Sequence, residues 1–541
     1  MYQPLPQSSS SAPVSSSPSA PLSSSSSTYL SVSTIIFKTF TSKHLAVIVI
    51  LSLLMITVVY KFNEQQSYIQ WYSMNTKHSS SSSNRDVNGM DVRQRVWTQQ
   101  ILDFLEVTHD LQLRTVMIDP LVLYQTLDYR DKQILLVNDL LSKSMLNDIV
   151  SNREYCIAFG VFRDQIPVLK TKLGPKLRDD MSYKEILIEG IDGSQRQYNN
   201  TSSDDLSDVL LHAFYTKDGE CVQISVFHPR HQFLWMGAIP TPTAPAILNN
   251  TDTNDTIDTD NSFPMPKDYH YGKHEMAFDM FTIDAYNTTT SGAGGSGTGD
   301  GIYDLWVPDD RVHYLAQLET GQFVECNYRV ARDYAASYPA NLTDDQKMDQ
   351  SVKDALMSLK TMARQLHIPI FISSGTLLGW YRQCSVIPYT SDLDTATWAR
   401  YATDQATDQW LHNKVGLRLT YIYGLLDNGY QYAFYTRRHN LRVDLFYMYE
   451  EWPNMTYTGH QPSKHMYFRY WYPWFRLCSA ELVGLKVLVP CTAETVVRAE
   501  YGPEWYKPKT SWSYLSSAYN IGPYRYWSSD EEALRAYKEL T

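Results

Sequence analysis

The chain has 541 residues, room for three or four domains at about 150 residues each. With 43% hydrophobic and 19% charged residues it is not disordered throughout. A net charge of −11 argues against binding nucleic acid through bulk charge, and six cysteines are too few for a small disulfide scaffold. No CxxC, HExxH or Walker A sequence occurs, so three common metal and nucleotide signatures are absent.

Residues 1–37 carry no charge and are rich in Ser and Pro, so residues 1–44 read as a disordered tail. Leu45–Tyr60 (LAVIVILSLLMITVVY) is a continuous apolar run of sixteen residues. As a helix it would be about 24 Å long, suited to a thin, early-secretory membrane. Lys38 and Lys43 precede it, which favours a cytosolic N-terminus. A buried core helix lacks partners in its Ser-rich flanks, and no A-x-A site follows for cleavage of a signal peptide. The reading is a retained signal anchor at 45–60, a cytoplasmic tail before it and a polar stem at 61–95.

All six cysteines follow the anchor, as do sequons at Asn199, Asn200, Asn249, Asn254, Asn287, Asn341 and Asn454. This places the rest of the chain in the secretory lumen. Cys478 and Cys491 flank a strand-like stretch and are the best local disulfide pair, with free buried thiols as the alternative. Residues 96–340 suggest a mixed α/β or β-rich luminal domain, with strands in Val150–Phe162, Glu220–Phe227 and Phe233–Ile239. Two inserts interrupt it, Thr241–Asp268 and the glycine-rich Ser291–Gly301. The second reads as a surface loop, since no Lys and no helix follow it.

A new domain, 341–541, opens near Asn341. Thr343–Gln346 fits a capping box, and Met348, Val352, Leu356, Leu359, Met362, Ala363 and Leu366 follow at helical spacing. A short strand is expected at His367–Ile372. Next come Ser373-Ser374-Gly375-Thr376, Gly379 and Arg382, then Asp392-Leu393-Asp394. A glycine turn after a strand exposes N–H groups that suit phosphate. Two Asp residues two apart on a strand share a face, about 6.7 Å apart along it. Paired carboxylates suit hard divalent cations such as Mg²⁺ or Mn²⁺. Asp444, in the strand-like LRVDLFYM, supplies a third, because a lone Asp among strand apolars needs a partner or a metal. Arg382 is a candidate phosphate clamp through its planar guanidinium. The aromatic segment His465–Phe475 reads as core, with stacking on a base or sugar as the alternative.

SSGTLLGWYRQC, the IPY lead-in, the DLD pair and LRVDLFYMYEE resemble the fukutin family of LicD-like nucleotidyltransferase-fold proteins. Weaker similarity lies in FVECNY at Phe323–Tyr328 and EYGPEW at Glu500–Trp505. The resemblance implies an α/β (α+β), mixed-sheet catalytic domain at the C-terminus of a single-pass type II Golgi enzyme (the endoplasmic reticulum being the other possible station). It implies metal-dependent transfer of ribitol 5-phosphate from CDP-ribitol to an O-mannosyl-type glycan, as on α-dystroglycan, with release of CMP. It also implies complexes with related transferases such as fukutin-related protein. Carried over, Asp392, Asp394 and Asp444 would be metal ligands and catalytic, with Arg382. Ser374, Gly375, Thr376 and Gly379 would cradle the donor. Many LicD-like members have a further acid just before the pair, where this chain has Thr390 and Ser391. Two rival readings are a GT-A glycosyltransferase that uses the DxD pair and a non-catalytic anchored scaffold.

Overall fold

Runs of β-branched and aromatic residues build two mixed sheets in the computed structural model of the protein. The model describes residues 103–138, 140–141, 156–196, 206–240, 269–287, 304–339, 342–451, 454–509 and 511–540. The apolar run at 45–60, the stem, both inserts and the sequons at Asn199, Asn200, Asn249, Asn254 and Asn341 lie outside these residues. No described helix is long and apolar enough to cross a membrane. The described residues fall in one unit, Arg93–Thr541.

The first sheet holds β1 (Val116–Met117), β2 (Ile157–Phe162), β3 (Lys184–Ile191), β4 (Asp208–Lys217), β5 (Glu220–Arg230), β6 (Phe233–Met236), β7 (Met276–Asp279), β8 (Ile283–Asn287) and β9 (Asp304–Pro308). Its main path runs β3-β4-β5-β2-β1-β9-β8, with β6 and β7 extending from β5. Helices α1 (Pro120–Thr126) and α2 (Tyr129–Val137) follow β1. Helices α3 (Arg311–Thr320) and α4 (Tyr328–Ser337) follow β9. The strands expected from sequence are present as β2, β5 and β6. A disulfide joins Cys156 to Cys221, ahead of the parallel β2–β5 pair.

Helix α5 (Leu342–Leu366) obeys its helical spacing: Val352, Leu356, Leu359 and Met362 are buried, and Met348, Ala363 and Leu366 pack beside them. It ends at His367, which takes a left-handed φ of 52° while the Ile368 N–H donates to Ala363 O across 3.0 Å. That turn and the missing N–H of Pro369 shorten the expected strand. Only β10 (Phe371–Ile372) pairs. The second sheet then takes in β11 (Asp392–Trp398), β12 (Leu417–Leu425), β13 (Asn428–Thr436), β14 (Arg442–Glu451), β15 (Met455–His460), β16 (Met466–Pro473), β17 (Leu477–Leu482), β18 (Leu485–Pro490), β19 (Arg525–Tyr526) and β20 (Tyr537–Glu539). Helix α6 (Ser374–Gln383) lies between β10 and β11 and α7 (Asp404–Leu411) between β11 and β12. Helix α8 (Ala493–Tyr501) follows β18, and α9 (Asp530–Arg535) precedes β20. The central order is β17-β18-β10-β11-β14-β13-β12-β20, with β11 and β14 parallel.

The two sheets are tied by charge and covalent bonds. Arg230, at the end of β5 and 2% exposed, donates twice to Glu325 (2.6 and 2.9 Å) and once to Glu481 of β17 (2.7 Å). Asp279 of β7 pairs with Lys360 of α5 at 2.6 Å, and Lys486 of β18 donates to Gln317 of α3 at 2.7 Å. Burial works against the Asp279 charge, yet Lys360, Lys486 and His313 hold its carboxyl well below the usual range. Cys326 forms a disulfide with Cys384, the left-handed C-cap of α6. The FVECNY segment is thus the strap between the two sheets: the Val324 N–H donates to Ser479 O and the Ser479 N–H to Gln322 O, both at 2.8 Å. Cys478 and Cys491 are joined as expected, and no cysteine is free.

Replacing Arg230 with Ala would leave two carboxylates without their buried cation. We expect a loss of about 3–5 kcal/mol in urea unfolding. A loss below about 1 kcal/mol would show that Arg230 does not hold the sheets together.

Candidate active site

The parallel pairing of β11 with β14 aligns Asp392 with Arg442 and Asp394 with Asp444. Alternation along a strand puts all four side chains on one face. One oxygen from each of Asp392, Asp394 and Asp444 lies within 4.8 Å of the others. The carboxylates lie in a cleft of about 620 Å³ that is also lined by Ser374, Gly375, Arg382, Gln431, Glu500, Trp505, Lys507, Lys509 and Trp512.

The start of α6 is fastened to β11 by Asp394. The Gly375 N–H donates to Asp394 Oδ2 at 3.0 Å, the Asp394 N–H donates to Thr376 Oγ1 at 2.9 Å, and the Ser373 N–H donates to Asp394 O at 3.2 Å. Glycine at 375 is required by this approach, because a Cβ there would stand 3.0 Å from Asp394 Oδ2. Thr376 therefore acts on Asp394 through its hydroxyl. Gly379 stands apart from the cleft lining. A Cβ there would lie 2.7 Å from Ser385 O, so its function is close packing of α6 on the loop that leads to Asp392.

Each carboxylate has its own support. Thr390 Oγ1 donates to Asp392 Oδ1 at 2.8 Å, so the residue that stands where other LicD-like proteins have an acid orients the pair instead. Asp444, 4% exposed, accepts from Arg442 Nε (2.9 Å) and Nη2 (3.1 Å) and from Gln431 Nε2 (3.0 Å). Burial raises the Asp444 carboxyl, and Arg442 pulls it back. Burial pushes Asp394 well above the usual carboxylate range. Asp392, Asp444 and Glu500 add to the rise, and the Gly375 N–H opposes it. Three crowded hard oxygen donors, one of them forced toward its neutral form, fit a divalent cation.

Arg382 borders the cleft but is 1% exposed. Its guanidinium lies 4.6 Å from the Tyr334 ring and its Nη2 donates to Gln383, while Nε has no partner among the described residues. The partly exposed cation among the carboxylates is Arg442, paired with Asp444 at 2.9 Å. The aromatic segment is mainly core: Phe468, Tyr470 and Tyr472 alternate inward along β16, and only Tyr470 lines the cleft. A second cavity of about 310 Å³ lies against Thr395, Trp398 and Phe475. Two of its lining cations, Lys360 and Lys486, are engaged by Asp279 and Gln317.

Glu500 was missed as a site residue, although EYGPEW had been noticed. The signal was there: Ala493, Val496, Val497, Glu500 and Tyr501 repeat at helical spacing along α8, which puts an acid on the buried face. Glu500 is 3% exposed and accepts from Tyr472 Oη at 2.8 Å. Burial raises its pKa to about 7.

With this geometry in hand, comparison with known proteins is decisive. Residues 42–353 match the family described as Fukutin N-terminal. Residues 367–492 match the LicD/FKTN/FKRP nucleotidyltransferase domain. The chain belongs to the fukutin family. It is similar to the ribitol-5-phosphate transferase FKTN of Homo sapiens, at 25% identity over 481 residues, covering 87% of this chain and 95% of the relative. The protein of that name from Macaca fascicularis gives the same identity and coverage over 480 residues. An uncharacterized protein of Caenorhabditis elegans is 31% identical over 243 residues, 42% of this chain and 60% of its own length. All three clustered aspartates lie inside the LicD match, whereas Glu500 lies beyond its end.

The raised pKa of Glu500 gives a pH-dependent stability. Its folded value of about 7 stands above the 4.5 of a free Glu, so its share of stability is full below pH 4.5 and is lost as pH rises through 7. Asp119, also raised to about 7, and the buried histidines, which titrate near 6.5 once unfolded, change the stability of both proteins alike, so the difference between wild type and Glu500→Gln isolates this group. In urea titrations of chelator-treated protein from pH 6.5 to 8, wild type should lose about 1 kcal/mol relative to Glu500→Gln. A difference that stays constant across that range would place the titrating group elsewhere.

Proposed function

We propose that the protein transfers ribitol 5-phosphate from CDP-ribitol to a hydroxyl of a glycoprotein glycan and releases CMP. The observation that carries this reading is the carboxylate trio Asp392, Asp394 and Asp444 on parallel strands in the cleft, beside a glycine turn bonded to Asp394. The names of the full-length relatives support the donor class. A glycine turn tied to the DxD pair, with a third Asp on the neighbouring strand, favours this arrangement over a GT-A glycosyltransferase.

Asp392, Asp394 and Asp444 would hold a divalent cation such as Mg²⁺ or Mn²⁺, which supplies charge neutralisation for the donor pyrophosphate. The acceptor hydroxyl oxygen attacks the ribitol-bearing phosphorus in line, and the bond from that phosphorus to the bridging oxygen breaks. The electron pair leaves with CMP, and the hydroxyl proton passes to Asp392 or through it to water. The chain's own contribution is positioning and charge. Arg442 and the exposed Lys509 of the cleft face the phosphates, and Trp505 and Trp512 offer flat surfaces for the cytosine.

In the same reading the acceptor is an O-mannosyl-type glycan of the α-dystroglycan kind. The enzyme is a type II Golgi protein anchored by 45–60 with its stem at 61–95, and it works alongside related transferases such as fukutin-related protein. The division at about residue 341 separates the catalytic part from an N-terminal part that serves acceptor recognition, oligomerisation or retention.

Two predictions follow the carboxylates. Asp392→Asn and Asp394→Asn should each lower CMP release from CDP-ribitol by two or more orders of magnitude, and chelator should do the same to wild type until Mg²⁺ or Mn²⁺ is restored. Full turnover under chelation, or preference for a UDP-sugar offered alongside, would overturn the assignment. Asp444→Asn should abolish turnover yet change the stability of the metal-free protein by only about 1–2 kcal/mol, because the freed Arg442 side chain is 34% exposed and reaches water. An Asp444→Asn protein that melts early but turns over normally per folded molecule would make Asp444 a structural residue.

A further inference from the structure

Ser374 occupies an unfavourable conformation at the most sensitive point of the cleft. Its φ is 40°, in the left-handed region that L-residues avoid, yet it opens α6 and immediately precedes the Gly375 N–H that binds Asp394. Such strain persists only when surrounding groups hold it. The N-cap side chain does not: Ser373 Oγ makes no capping bond and has no partner among the described residues.

What holds Ser374 comes from the far end of the domain. The Glu500 carboxyl accepts from the Tyr472 hydroxyl at 2.8 Å, and the hydroxyls of Tyr501 and Ser374 lie close enough to stabilise its charge. The Tyr501 hydroxyl also lies beside Gly375, 3.9 Å from where a Cβ would stand. Three hydroxyls from three elements, β16, α8 and the start of α6, surround a carboxyl that almost no water reaches. The ring of Tyr472 is itself buried, at 3% exposure, so this anchor cannot drift.

We propose that Glu500 is a positioning residue that holds Ser374 in its left-handed conformation, so that the Gly375 N–H stays on Asp394 and the metal-binding carboxylates keep their spacing. This rests on reading the cleft as the transfer site. Glu500 does not touch the donor in this account; it acts through Ser374 and Gly375. It also gives the C-terminal EYGPEW segment a function in a site whose clustered aspartates lie well before it in the chain.

The test uses Glu500→Gln, which is isosteric and removes a buried charge. An amide keeps one acceptor oxygen and turns the other position into a donor, so at least one of the three hydroxyls loses its acceptor. With the luminal protein, Mn²⁺ affinity should weaken and kcat/KM for CDP-ribitol should fall by about tenfold or more. Adding Ser374→Gly to Glu500→Gln should recover most of both, because glycine adopts a φ of +40° without support. Tyr472→Phe, which keeps the ring and removes one donor, should shift both readouts in the same direction by less and respond to Ser374→Gly in the same way. An unchanged Glu500→Gln enzyme overturns the proposal. So does a Glu500→Gln enzyme whose loss is untouched by Ser374→Gly, and if the acidic limb of its pH profile also disappears, Glu500 is a proton acceptor instead. Wild type that binds no Mn²⁺ and releases no CMP would refute the transfer reading itself, an outcome distinct from failure of the rescue.

Discussion

Three carboxylates crowded on one sheet face repel one another, and the architecture around the cleft answers that repulsion. The parallel register of β11 and β14 creates the problem by setting Asp394 directly beside Asp444. Without a cation, the protein spreads the charge over fixed partners: Arg442 and Gln431 on Asp444, Thr390 on Asp392, and the Gly375 N–H on Asp394. Each partner sits on a different element, so the site is assembled only when β13, β14, α6 and the loop before β11 are all in place. A cluster of like charges this tight is poorly stable by itself, and its rigidity has to come from its surroundings.

Much of that rigidity comes from the first sheet. The Cys326–Cys384 disulfide clamps the C-terminal end of α6, the helix whose N-terminal end carries Gly375. Trp380 of the same helix donates to Glu481 O at 3.0 Å, and Glu481 is also held by Arg230 from β5. The first sheet therefore does more than precede the second in the chain. Its strands reach the helix that fixes the carboxylates, through one buried arginine and one covalent bond. The Arg230 cluster satisfies nearly all of its donors, as a buried charge must if it is to be tolerated.

The elements with strong local signals were legible in advance. Helix α5 could be read from seven apolar positions at helical spacing, β14 from its alternation, and the Cys478–Cys491 pair from the short strand-like stretch between them. The Asp trio was legible because acids stand out in apolar strands. The fate of individual side chains was harder to read. Arg382 has the right chemistry to grip phosphate, yet its guanidinium packs against Tyr334. Gly379 marks a close approach, but to Ser385 instead of a ligand. Glycine and arginine signal a requirement without saying which neighbour imposes it.

By itself, the sequence determined the chemistry available to this protein: strand-like segments that carry Asp392, Asp394 and Asp444, a glycine turn ahead of the DxD pair, and a resemblance to the fukutin family. Those features are local, written in periodicity, composition and short motifs, and they survive without knowledge of any distant contact. Only the tertiary structure decided which charges meet. That Arg442 rather than Arg382 lies among the carboxylates follows from strand register, a long-range pairing. That Glu500 reaches Ser374 across more than a hundred residues follows from the packing of α8 against β16 and α6. That the Thr390 hydroxyl reaches Asp392 follows from the path of one loop. The physical reason is the same in each case. Electrostatic and hydrogen-bond energies depend on distances of a few ångströms in space, and separation along the chain does not encode those distances.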